Sequence, residues 1–331
     1  MKRFLKPVFW VSILALVGWF IARAFMGAKE SFQENEFALD DLGFGLLGCA
    51  GAAYIFGLLP CWWYWRHTLR AMGQDPPFLG SLAAYYIGHL GKYVPGKAMV
   101  VVLRAGFIRG PRVETSAAAS SVFVETLTMM AVGSFLAAMI LLFSFPQPLY
   151  ITMGLGFAVA ASVPTFPPLF RRLMRILRAD REGADGRWFS EGITFRLMGI
   201  GWVAMIPAWV FFGLSMLFAM MAIGPDRIPG GVTLQDLPYL TATVSLAMVV
   251  GFLSLVPGGL GVRDSIVFGL VEAHPRFGGD VAIIAAVVLR IVWLVSELGV
   301  SGILYLSNLK RPPLPPTGHT THGPDGGNSG S

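Results

Sequence analysis

The chain has 331 residues, of which 55% are hydrophobic and only 13% are charged. Soluble domains carry about 25% charged residues, so this composition excludes an ordinary soluble protein. The net charge of +6 does not indicate nucleic-acid binding, because the basic residues cluster in short loops beside apolar runs, as in membrane proteins of defined orientation. The sequence therefore predicts an all-α polytopic membrane protein with no nucleic-acid partner.

The N-terminal region predicts two membrane spans. A basic segment precedes the apolar run Pro7 to Phe25, which favours a first span with a cytoplasmic N-terminus; a cleaved signal peptide is the alternative. The acidic stretch Lys29 to Asp41 suits the outer face, and Leu42 to Trp65 then returns as the second span. Both lengths agree with the roughly 20 residues that cross a bilayer.

The next apolar segment, Leu79 to Ile108, is interrupted at residues 91–97 by the sequence GKYVPGK. If the segment crossed fully, Arg104, Arg109 and Arg112 would lie outside, against the positive-inside rule. A re-entrant hairpin with arms of about 12 to 15 residues, too short to span, keeps these arginines in the cytoplasm. The sequence therefore predicts a hairpin that enters and leaves on the cytoplasmic face.

Three further spans are predicted in the middle of the chain: Ser116 to Phe145, which carries Glu125, Leu149 to Phe166, and Phe195 to Ile223. The most basic loop of the chain, predicted to be cytoplasmic, contains Arg171, Arg172, Arg175, Arg178, Arg181, Arg187 and Arg196.

A second break, LVPGGLGVRD at residues 255–264, follows the apolar run Leu237 to Val256. Its proline removes a backbone donor, and backbone groups freed in lipid must be satisfied by protein or by a water-lined cavity. A last span, Asp280 to Leu306, ends at a basic pair. For that pair to be cytoplasmic, Leu237 to Glu272 must enter and leave on the outer face.

The predicted architecture is about six full transmembrane helices plus two oppositely oriented re-entrant hairpins broken at Pro-Gly motifs. Two interrupted segments in the two halves of a chain indicate a transporter-like site. Full crossings by short helices, or a surface loop at the second break, are the alternatives. Residues 1–309 are predicted to form the membrane domain, and residues 310–331 a disordered cytoplasmic tail, since their composition cannot bury a core.

Charged groups at membrane depth cost about 2.5–3.5 kcal/mol each on insertion scales, so the few present are candidate site residues. The candidate cavity charges are Lys92, Lys97, Arg104, Glu125, Arg263, Asp264, Arg290 and Glu297. The helix-break residues are Pro95, Gly96, Pro257, Gly258, Gly259 and Gly261.

Two interpretations of these charges stay open. In the first they form ion pairs that hold the helices together: Arg104 with Glu125, and Arg290 with Asp264 or Glu297. In the second the cations bind phosphate, for which Arg offers a planar fork and Lys a point charge. His89, just before the first break, is predicted to be a polar interior residue, with a proton relay as the alternative.

Taken together, the two Pro-Gly motifs, Arg104, Glu125 and Arg290 resemble the lysylphosphatidylglycerol synthase transmembrane family, a group of flippase-like membrane domains. The resemblance extends to about Leu306 and differs at Asp264, where the family usually has Glu. Bifunctional members carry a soluble aminoacyl-transferase domain after the membrane part, and here a short tail follows. The resemblance therefore implies a stand-alone member with the lipid-translocating half and without the aminoacylating half.

The resulting hypothesis is a flippase-like protein of the cell membrane, with both termini cytoplasmic, that binds and translocates an anionic or modified phospholipid or a polyprenyl-linked lipid. The alternative is a non-transporting accessory subunit for a lipid-modifying enzyme or glycosyltransferase. A membrane enzyme is disfavoured, because the sequence has no nucleophile–base pair or metal-binding motif. We predict no cofactor and no metal, and the chain contains no phosphate-binding loop for ATP.

Overall fold

A computed structural model describes residues 26, 42–94, 98–144, 156, 158–160, 162–176, 189–224, 227–254, 256, 259 and 261–309. This part of the chain is helical, with one isolated β-bridge between Gly110 and Val113. Its α-helices are α1 Phe44–Ala71, α2 Phe78–His89, α3 Ala98–Ile108, α4 Thr115–Ser144, α5 Pro167–Ile176, α6 Phe195–Met221, α7 Leu237–Leu253, α8 Val262–Ala273 and α9 Gly279–Leu309. The prediction of an all-α polytopic membrane protein is confirmed.

Five segments are long and apolar enough to cross a membrane: Phe44–Ala71, Thr115–Ser144, Phe195–Met221, Leu234–Leu253 and Gly279–Ser307. Four of them correspond to predicted full spans. The predicted first span, Pro7 to Phe25, and the predicted tail lie outside the described residues. Half of the predicted span Leu149 to Phe166 also lies outside them, although its described positions up to Thr165 are helical or 3₁₀.

The first predicted hairpin is formed by α2 and α3, which have 12 and 11 residues. Both arms are shorter than the roughly 20 residues of a full span, as predicted. Two glycines let the arms touch: a Cβ on Gly88 would lie 2.4 Å from Arg104 Cγ, and one on Gly91 would lie 2.6 Å from the Val100 backbone nitrogen. A 3₁₀ turn, Leu90–Tyr93, ends the first arm.

The second hairpin, α7 and α8, has unequal arms of 17 and 12 residues. Together with the 3₁₀ turn Leu234–Asp236, α7 is long enough to cross a membrane, whereas α8 is not. Gly259 and Gly261 adopt φ values of +68° and +76°, which only glycine reaches at little cost. The chain can therefore reverse within a few residues between the two arms.

The centre of the bundle is formed by α1 and α6, with α4, α7 and α9 packed around them. Three large indoles are fully buried there, and each indole N–H has an acceptor. Trp65 Nε1 donates to Ser121 Oγ at 2.9 Å, and Trp293 Nε1 donates to Ser215 Oγ at 2.9 Å. Trp209 Nε1 donates to the Met129 carbonyl at 3.1 Å. Satisfied polar groups are what a lipid-embedded core requires.

The predicted basic loop is helical in part, because α5 carries Arg171, Arg172 and Arg175. Arg171 donates two hydrogen bonds to the Ile193 carbonyl, at 2.9 and 2.7 Å, and so ties α5 to the segment that leads into α6. Apolar and basic residues occupy different faces of α5, a pattern typical of helices at a membrane surface.

Glycine contacts between helices generate a first prediction. A Cβ on Gly213 of α6 would lie 2.0 Å from Thr241 Oγ1 and 2.9 Å from Thr241 Cα of α7, whereas one on Gly199 of the same helix meets nothing within 4 Å. We expect Gly213→Ala to destabilise the protein by about 1–3 kcal/mol through overpacking. The thermal unfolding midpoint in detergent measures this, with Gly199→Ala as the matched control. Equal midpoints for the two variants would contradict the α6–α7 packing.

Candidate functional site

One face of α9 contacts both hairpins. Arg290, Trp293 and Glu297 are spaced three and four residues apart, so they share a face of the helix. They lie close to the middle of Gly279–Leu309, and in a helix long and apolar enough to cross a membrane the middle is where charged groups are most costly. We call these three residues the α9 face.

The tip of the first hairpin binds Glu297, whose side chain is only 1% exposed. The Lys92 ammonium forms an ion pair with Glu297 Oε1, and the Tyr93 hydroxyl donates to Oε2 at 2.9 Å. The Tyr54 hydroxyl of α1 donates to Oε1 as well, and His89 Nε2 lies 3.7 Å from the same oxygen. The carboxylate is therefore surrounded by polar groups from α1 and from the hairpin.

The start of α8, in the second hairpin, contacts the other end of the α9 face. Asp264 forms an ion pair with Arg290. The same carboxylate accepts a hydrogen bond from the Gly261 N–H at 3.0 Å and thereby caps α8. The Arg263 guanidinium lies 5.0 Å from the centroid of the Trp293 ring, within the range of a cation–π contact.

Three cations and two carboxylates meet here, and we call Lys92, Arg263 and Arg290 the cation cluster. Within the part of the chain that the structure describes, no carboxylate forms a salt bridge with Arg263. Lys92 and Arg290 keep 21% and 24% of their side chains exposed, in contrast to Glu297. The cluster therefore has more cations than carboxylates, and two of its three cations are partly exposed.

Arg104 and Glu125, also predicted as cavity charges, form a separate and closed ion pair. The Arg104 Nη1–Glu125 Oε2 distance is 2.7 Å, and the two side chains are 3% and 1% exposed. The Tyr85 hydroxyl donates to Glu125 at 2.9 Å, and the guanidinium stacks over the Tyr85 ring at 3.9 Å. This geometry agrees with the ion-pair interpretation, because neither group is accessible to a ligand.

Five predicted residues, Lys97, Pro95, Gly96, Pro257 and Gly258, lie outside the described residues. The predicted pairing of Arg290 with Asp264 is found, whereas Glu297 pairs with Lys92 from the other half of the chain. Among the described residues, no group of three or more His, Cys, Asp or Glu side chains is arranged to hold a metal ion.

Sequence reasoning missed Tyr54 and Trp293 as members of the site. Tyr54 lies inside an apolar helix, and nothing in its neighbourhood indicates a partner 243 residues away. Trp293 could have been found, because it lies between Arg290 and Glu297 at helical spacing. The two rings stack on each other, with centroids 4.3 Å apart, and join the two halves of the site.

The closed pair generates a prediction. Arg104→Met leaves Glu125 buried without a cation, and we expect a loss of about 3–5 kcal/mol of stability. The double variant Arg104→Met/Glu125→Met removes both charges and should recover much of that loss, since apolar residues often replace buried ion pairs without cost. Thermal unfolding midpoints of the two variants test this. If Arg104→Met were as stable as the wild type, Glu125 would not need Arg104 as its counter-charge, and the prediction would be wrong.

Comparison with known proteins agrees with this architecture. A search of curated proteins finds no match to the chain, and the match comes from a family model described as the lysylphosphatidylglycerol synthase TM region. That region is separate from the catalytic part of these synthases. The model covers residues 8–299, and so includes both hairpins and the whole α9 face. The chain therefore belongs to the lysylphosphatidylglycerol synthase TM region family.

Proposed function

We propose that this membrane protein binds an anionic or modified lipid by its phosphate at the cation cluster and moves the headgroup between the two leaflets. One observation supports the proposal above all: both interrupted hairpins contact the middle of α9, a helix long enough to cross a membrane. These contacts involve Lys92, Arg263 and Arg290. Charges are kept at such a depth chiefly where they have a function.

The chemistry of the cluster suits a phosphate. Arginine presents a planar fork that matches phosphate oxygens, and lysine adds a mobile point charge. Basic pockets between membrane helices bind anionic lipid headgroups, and interrupted helices near the bilayer midplane form the sites of many transporters. Asp264 and Glu297 lie in the same cluster, so a headgroup that carries an amine as well as a phosphate would find partners for both.

The structure changes which residues the proposal depends on. Arg104 is occupied by Glu125 and is buried, so it supports the first hairpin rather than the ligand. Arg263, already among the cations predicted to bind phosphate, has no described carboxylate partner and stays among the proposed ligands. Lipid movement would be passive or coupled to ions, because the sequence contains no phosphate-binding loop for ATP.

Lipid retention provides the direct test. We expect Arg263→Ala and Arg290→Ala each to reduce the amount of co-purified anionic lipid by about tenfold or more, because each removes a charge-assisted hydrogen bond of about 1.5–3 kcal/mol. Native mass spectrometry of protein released from detergent measures the retained lipid. Arg112→Ala is the matched control, since Arg112 pairs with Asp75 at an exposed position. Equal retention in all four proteins would contradict the proposal.

Translocation is tested separately in proteoliposomes that contain a fluorescent phosphatidylglycerol. We expect the wild type to move the labelled lipid between leaflets, as scored by a membrane-impermeant quencher, and the two arginine variants to slow this movement in proportion to their loss of binding. Protein-free vesicles and Arg112→Ala set the baseline and the reference. Binding without any movement would contradict translocation and support the accessory-subunit alternative.

A further inference from the structure

Lys92 carries a single positive charge, which Glu297 and a bound anion would have to share. It neutralises Glu297, and it belongs to the cation cluster that we propose to bind an anion. Among the described residues, Lys92 is the only Lys or Arg side chain with a nitrogen within 4.0 Å of the Glu297 carboxylate. An anion that draws the ammonium away therefore leaves a carboxylate that is 1% exposed and has lost its ion-pair partner.

The groups that remain carry no fixed charge, because His89 Nε2, 3.7 Å from Glu297 Oε1, is a cation only when it is protonated. Tyr54 and Tyr93 offer hydroxyl hydrogen bonds, whereas burial without a counter-charge strongly disfavours an ionised carboxylate. Binding a proton is the simplest compensation: the proton passes from water to a Glu297 oxygen, and the neutral acid keeps hydrogen bonds with the tyrosines. Lys92, which contacts this carboxylate, keeps 21% of its own side chain exposed.

We propose that Glu297 is a proton-binding site linked to the cation cluster, so that an anionic lipid that takes Lys92 is bound together with one proton. This proposal rests on the proposed function and deepens it, because it identifies the ion to which lipid movement would be coupled. The proposal also implies that the 3₁₀ turn Leu90–Tyr93 of the first hairpin moves when the lipid binds, because Lys92 and Tyr93 of this turn contact Glu297 of α9.

The groups that face Glu297 come from every element packed around it. Tyr54 belongs to α1, His89 to α2, and Lys92 and Tyr93 to the 3₁₀ turn, while Arg263 of α8 acts on the site electrostatically. Arg290 lies on α9 itself. Of these groups, only His89 ordinarily titrates near neutral pH. His89 Nε2 lies 3.3 Å from the Tyr54 hydroxyl. A test must therefore distinguish protonation of His89 from protonation of Glu297.

The direction of the pH dependence follows from linkage. If lipid binding takes up a proton, binding strengthens as the pH falls, by at most about tenfold per pH unit for one proton. Phosphatidylglycerol is a suitable probe, because its phosphodiester keeps one negative charge between about pH 5 and 8, the range in which histidine and perturbed carboxylates titrate. The dissociation constant of a fluorescent phosphatidylglycerol in detergent measures the effect.

We expect the wild type to bind the probe more tightly at about pH 5 than at about pH 8. Glu297→Gln mimics the protonated acid and should bind tightly at both pH values. His89→Gln should keep the wild-type pH dependence, and so should Glu272→Gln, which makes the same substitution at an exposed position of α8. Calorimetry of the wild type in two buffers of different ionisation enthalpy should show the uptake of one proton, independently of any variant.

Two results would overturn the inference. One is probe binding by the wild type that is independent of pH and takes up no proton. The other is a pH dependence that His89→Gln abolishes and Glu297→Gln retains, which would assign the proton to the histidine. A wild type that binds no probe at either pH would instead contradict the proposed function, so the two failures are distinguishable.

Discussion

The cost of placing charge in the middle of a membrane is the constraint on which this structure depends. Insertion scales assign about 2.5–3.5 kcal/mol to each such group, and α9 carries two of them near its centre, Arg290 and Glu297. Neither can be satisfied by α9 alone. The first hairpin provides Lys92 for Glu297, and the second provides Asp264 for Arg290. The charges on one helix thus require both hairpins to contact its middle.

Interrupted helices make this contact possible. In a continuous span, Lys92 and Asp264 would be confined to one face of a straight helix. A break lets the chain turn back next to the partner residue on α9, where the freed backbone groups can be satisfied by protein. Glycine permits both turns: Gly88 and Gly91 let α2 and α3 approach, and Gly261 provides the positive φ at the start of α8. The described residues beside these breaks therefore bring charge to α9, where Lys92 and Arg290 stay partly exposed.

Much of this arrangement could be predicted from local sequence. Run lengths and basic residues predicted the class of protein and the short arms of the first hairpin, because both depend on bilayer thickness and on local charge. The partner of Glu297 could not be predicted, because Lys92 lies 205 residues away and no spacing rule connects them. The first arm of the second hairpin was predicted as the apolar run Leu237 to Val256, and the structure has a helix there, Leu237–Leu253. For Arg104 the sequence left two interpretations open, an ion pair with Glu125 or a phosphate ligand, and the contact and burial of the two side chains agree with the ion pair.

The central claim is that the cation cluster holds a lipid phosphate between the two hairpins. The most direct measurement is a cryo-electron microscopy structure of the full chain in nanodiscs that contain phosphatidylglycerol. Our account predicts a phosphate within hydrogen-bonding distance of Lys92, Arg263 and Arg290, beside the middle of α9. A structure in which ordered headgroups lie only around the outside of the bundle, with Lys92 still paired to Glu297, would contradict it.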